Sequence, residues 1–127
     1  MTVSISFVKQ LVQDNKVREA LRIIRSLLEV IPDSPELLVL SGRLLLLQDE
    51  SDPTPLRTSV EAYQEALTVD PTCLPALEEL AHYYYSIEPN PALAMHYAQD
   101  YITQARETIR DLEGIIAESL GEPPSPK

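Results

Sequence analysis

Apolar residues recur along most of the chain at three- and four-residue spacing, the mark of helices that bury one face. Over residues 3–13, Ile5, Val8, Leu11 and Val12 fall on one side of a helix. Asp14-Asn15-Lys16 breaks the pattern. Val17, Ala20, Leu21, Ile24, Leu27, Leu28 and Ile31 then restore it as a broad stripe along a second helix. Pro32-Asp33-Ser34-Pro35 ends that helix; Ser34 suits an N-cap and Pro35 a first helical turn, so a third helix is predicted over 35–48. An acidic, proline-broken stretch, QDESDPTP at 48–55, separates it from a fourth helix over 56–69. Pro71-Thr72-Cys73 leads to a fifth over 74–86, and EPNP at 88–91 turns the chain again. From Ala92 to Leu120 there is no proline, and only Gly114 interrupts a sixth helix of about 43 Å. Connections of mostly three to five residues fold neighbouring helices back on one another as three antiparallel hairpins.

The sequence also repeats itself. Displaced by 39 residues, LLEVIPDSPELLVLSGRLLLL lies over ALTVDPTCLPALEELAHYYYS. Leu28 meets Leu67, Val30 meets Val69, Pro32 meets Pro71, Leu38 meets Leu77, Gly42 meets Ala81 and Leu45 meets Tyr84. Upstream, Ala20 meets Ser59, Ile24 meets Tyr63 and Leu27 meets Ala66, so large residues match large and small match small.

A repeat near 34 residues, enlarged by an insertion, resembles the tetratricopeptide repeat. Gly42, Ser59, Tyr63, Ala66 and Asp70-Pro71 match that family's pattern in the second unit. Ala20, Ile24 and Pro32 match in the first, and Leu77, Ala81, Tyr84, Ala94 and Ala98 in the third. The departures are Leu27 at a small position, Leu38 and Ser4 where an aromatic is usual, about five extra residues at 48–55, and no closing Asp-Pro in the third unit. The resemblance covers residues 3–104 and implies an all-α fold: a right-handed α-solenoid of three antiparallel helix hairpins. The implied organisation is one domain over 1–120, with units at 3–34, 35–72 and 74–104, a helical extension at 105–120 and a disordered tail at 121–127.

In such an array the first helix of each pair lines a concave groove. Helical spacing assigns Ile5, Lys9 and Val12 to that groove from the first unit, Val39, Arg43 and Leu46 from the second, and Glu78, His82 and Tyr85 from the third. Apolar area with one or two charges per helix suits an extended or helical peptide. One use of the family, capture of a C-terminal carboxylate by Lys and Asn, is not expected. Its positions hold Ile5, Lys9, Leu40, Pro75 and Glu79, of which only Lys9 could serve. Tyr83, Tyr84 and Tyr85 cannot stack on one ligand, because consecutive residues point 100° apart on a helix. Tyr84 is assigned to the interior and Tyr85 to the groove.

Charge narrows the partners. Ten basic residues stand against twenty acidic ones, a net charge of −10, and no Lys or Arg occurs between Arg57 and Arg106, a block that carries seven acids. Nucleic acid is therefore not an expected partner. The block is either a solvated surface that aids solubility or a dock for a basic segment. The single cysteine, Cys73, rules out an intrachain disulfide. No basic start with a long apolar run opens the chain, and the most apolar window, LLVLSGRLLLL at 37–47, is too short to span a bilayer and carries Arg43. No membrane association and a cytoplasmic location are expected.

Catalysis, cofactor and metal are not expected. Cys73 and His82 would lie about 12 Å apart on helical geometry, outside proton-transfer reach. Glu78 and His82 share a face, but His96 would have to supply a third ligand from the far side of the last hairpin. In the last helix Ala105, Ile109, Leu112, Ile116 and Leu120 continue an apolar stripe at spacings of 4, 3, 4 and 4. The stripe either caps the array or pairs with another protomer. The expected function is a protein–protein interaction scaffold that binds a peptide or helix. The alternatives are a dimeric subunit assembled through the last helix, and a secretion-type chaperone that shields a partner segment.

Overall fold

A computed structural model of the chain describes residues 5–47 and 54–121, which are helical apart from short turns, with no strand among them. The helices are α1 (Ile5–Gln13), α2 (Val17–Val30), α3 (Pro35–Leu46), α4 (Thr54–Val69), α5 (Leu74–His82) and α6 (Pro91–Ser119). A single π-helical turn, Tyr83–Ile87, follows α5 directly. Residues 1–4, 48–53 and 122–127 lie outside the described residues, and with them Ser4, most of the acidic loop and the tail beyond Gly121.

Local chemistry accounts for the ends. α1 closes with a Schellman motif: the Lys16 N–H donates to the Leu11 carbonyl at 2.8 Å and the Asn15 N–H to Val12 at 3.0 Å. This requires Asn15 at φ 62°, a left-handed conformation that Asn tolerates better than most residues. Ser34 caps α3 as predicted, its hydroxyl accepting from the Leu37 N–H at 3.3 Å with Pro35 in the first turn. Asn90 does the same for α6, accepting from Leu93 at 3.2 Å, so α6 begins at Pro91, one residue earlier than the pattern suggests. At the α4–α5 turn, Asp70 accepts from both the backbone and hydroxyl of Thr72, at 3.0 and 2.7 Å, which tightens the chain against the next helix.

Helices pack chiefly on their neighbours in the chain: α1 on α2, α2 on α3, α3 on α4, α4 on α5 and α5 on α6. A single continuous core is not what results. Val8, Leu11, Ala20, Leu21 and Ile24 pack with Leu40, Leu44 and Leu45 in one cluster. Leu38 and Val39 join Val60, Tyr63, Ala66, Cys73, Ala76, Leu80, Tyr83 and Tyr84 in the other. α3 belongs to both, and Leu28 borders both. That explains its nearly all-apolar sequence: from Leu37 to Leu45 only Arg43 is exposed.

α3 and α4 come into tight contact at Gly42 of α3. A Cβ there would lie 2.5 Å from Cε1 of Tyr63, whose ring is fully buried. Beside it the Ser59 hydroxyl, also fully buried, donates to the Gly42 carbonyl at 2.8 Å. A Gly42→Ala substitution should therefore cost about 1–3 kcal/mol of stability through overpacking. A Cβ at Gly114 of α6 would meet nothing within 4 Å, so Gly114→Ala should add up to about 1 kcal/mol by helix propensity. Urea unfolding followed by circular dichroism would measure both, and opposite signs are expected.

Candidate functional site

A cavity of about 610 Å³ opens between α1, α3 and the turn that leads into α5. Val39, Leu40, Leu74 and Pro75 supply apolar lining, Cys73 faces it from the core, and Lys9, Glu36, Arg43 and Asp70 supply charge. The volume falls in the range of ligand-sized pockets.

Its cations are already partnered. Arg43 Nε donates to Glu79 Oε1 at 3.0 Å, joining α3 to α5. The other carboxylate oxygen of Glu79 accepts from the Tyr63 hydroxyl at 3.2 Å. Lys9 Nζ lies 4.0 Å from Glu36 Oε1, bridging α1 and α3 with both side chains well exposed. Glu79 thus ties three helices together. Burial holds the Tyr63 phenol well above its ordinary pKa, and the negative charge of Glu79 pushes the same way, with Ser59 and Arg43 opposing. Burial likewise raises Tyr83 and Tyr84.

The cavity gathers only part of the groove read from helical spacing. Lys9, Val39 and Arg43 line it, with Val39 buried as its floor instead of presented on a surface. Val12 and Leu46 are half-buried, each packed against one of the core clusters and outside the cavity lining. Glu78, His82 and Tyr85 are exposed on or just beyond α5, also outside it. Ile5 opens α1, and its side chain lies outside the description. Spacing along helices missed the contribution of the 70–75 turn, which brings Asp70, Thr72, Cys73, Leu74 and Pro75 to the cavity. The signal available for that turn was Pro75, which stands at a position of the ligand-gripping pattern.

Tyr84 is interior as expected, while Tyr85, assigned to the groove, lies outside the cavity lining. Tyr83 and Tyr84 are buried, edge-to-face at 5.1 Å, while Tyr85 is 78% exposed. Tyr84 stacks on Tyr97 of α6 with centroids 6.0 Å apart. The helix does not run on to Ser86, however. The Glu88 N–H donates to the Tyr83 carbonyl at 3.1 Å, one residue farther than in an α-helix, and the widened turn leaves two adjacent rings in the core.

His96 pairs with Asp100 on its own helix at 3.4 Å. Among the described residues no group of three or more His, Cys, Asp or Glu is placed to hold a metal ion, and no helix is long and apolar enough to cross a membrane. No protein-family model matches the chain, and no curated protein matches it.

The folded chain holds the Tyr63 proton where the unfolded chain releases it near pH 10, so stability is retained below pH 10 and falls as pH rises above it. Tyr63→Phe should flatten that fall while lowering stability near neutrality by about 1 kcal/mol through loss of the Glu79 bond. Urea titrations between pH 8 and 11 would resolve both effects.

Proposed function

We propose that this chain is a non-catalytic protein–protein interaction module, a three-unit array of the tetratricopeptide type that holds an extended or helical partner segment against α1, α3 and α5. One observation carries the reading: the cavity, floored by aliphatic side chains, lies among the helices to which the repeat pattern assigns a groove. Two features support the repeat itself. Main contacts run between successive helices, and Gly42, Ser59 and Tyr63, three of the residues that carry the resemblance, meet at one helix crossing.

Salt-bridged cations beside an aliphatic floor favour burial of a partner's apolar side chains over capture of a free carboxylate. The block from Glu61 to Asp100 keeps its acids without a basic residue, so a partner with positive charge flanking its apolar anchors fits best.

Selection of a random-peptide display library on the full chain provides the test. Enriched peptides should combine apolar anchors with basic flanks. Pro75→Glu, at an exposed residue of the lining, should weaken them at least about tenfold by placing charge beside the apolar floor. Exposed Glu29→Lys on α2 should leave binding unchanged. Failure to enrich any sequence, or equal binding by both variants, would overturn the groove reading.

A further inference from the structure

The exposed side of α6 carries a longer and more regular seam than its last sixteen residues suggest. Ile102 and Met95 are 46% and 59% exposed, so both join the stripe. It then runs Met95, Ala98, Ile102, Ala105, Ile109, Leu112, Ile116, with alternating steps of three and four. That is a heptad seam of the kind that pairs helices, and Leu120 falls beside it. The helix packs on the rest of the chain through other residues, Leu93, Ala94 and Tyr97. Ile109, Leu112 and Ile116 are each more than half exposed.

We propose that two copies of this chain pair antiparallel along this seam, with Arg106 of each copy against Glu113 of the other. The flanking charges select both the occupant and the direction. Arg106 and Glu113 lie one heptad apart on the same flank, both exposed, and neither enters an ion pair within the described residues. Antiparallel pairing centred between Arg110 and Asp111 sets each Arg106 on the same flank as a Glu113 of the other copy, two residues or about 3 Å apart along the axis, giving two opposite-charge contacts. The same alignment sets Ile109 against Leu112 at the centre, then small Ala105 against large Ile116, and Ile102 against small Ser119. A parallel pair would instead set Arg106 beside Tyr101 and Glu113 beside Thr108, with no charge matched. The overlap spans residues 102–119, about 27 Å of helix, and leaves Met95 and Ala98 of the seam beyond it. It uses no residue of the cavity, so it stands or falls independently of the groove.

Sedimentation equilibrium on the full chain at micromolar concentration should give a dimer. Ile109→Glu and Leu112→Glu, both at exposed positions, should each give a monomer of unchanged helicity. Arg106→Glu faces Glu with Glu twice and should raise the dissociation constant about tenfold, and adding Glu113→Arg should restore it. Direction is read by cross-linking. Ala105→Cys mixed with Ile116→Cys should form an intermolecular disulfide, whereas Ile116→Cys alone should not, since its two copies would lie about 16 Å apart. A monomeric chain, a dimer indifferent to Ile109→Glu, no rescue by the double charge exchange, or ready linking of Ile116→Cys alone would each overturn the proposal.

Discussion

The approach of α4 to α3 at Gly42 governs the geometry of the middle of this molecule. A side chain at that position would occupy the space of the Tyr63 ring, so only a bare backbone lets the ring lie flat against α3. Once there, the ring carries its hydroxyl through to α5, where Glu79 accepts it. Arg43, next to Gly42 along α3, takes the other oxygen of the same carboxylate. One aromatic residue therefore spaces three helices. The cost of burying its phenol and the Ser59 hydroxyl is offset by the hydrogen bonds both make. Among the described residues no buried side-chain polar atom is left without a partner.

That interlock shapes the cavity beside it. Arg43 is held against Glu79, leaving Val39 and Leu40 as the floor and the 70–75 turn as one wall. Within this wall Asp70 accepts two hydrogen bonds from Thr72. Among the described residues the other acids lie on exposed surfaces, where Glu61, Glu65 and Glu78 remain hydrated. α6 obeys a different constraint. Its first half is anchored by Leu93, Ala94 and the Tyr84–Tyr97 stack, while its second half reaches past α5 with its apolar side bare.

Much of the helical layout could be read directly. The Ser34 cap, the Asn15 turn and the division of Tyr84 from Tyr85 depend on a few adjacent residues whose preferences act locally. The readings that moved depend on longer range. α4 starts at Thr54, two residues before its predicted start, because a proline in the first turn gives up no helical hydrogen bond. The π-helical turn after His82 keeps Tyr83 and Tyr84 both buried, with Tyr84 stacked on Tyr97 of α6, which nothing in YYYSI itself announces. In the candidate site, Lys9 and Arg43 were recoverable from spacing on α1 and α3. Thr72, Cys73 and Leu74 were not, since turns have no periodicity to read.

The helical character of the chain, the places of its turns, its apolar faces and its charge distribution were all legible in the residues alone. These follow from backbone preference and from burial, both of which act over a few residues. Folding settles the rest: α3 is covered on both sides, Glu79 links Tyr63 to Arg43, and Ile102 and Met95 extend the exposed seam of α6. Each of these depends on the distance between helices. Steric fit sets that distance, at Gly42 above all, where the absence of a side chain matters only because of what lies opposite.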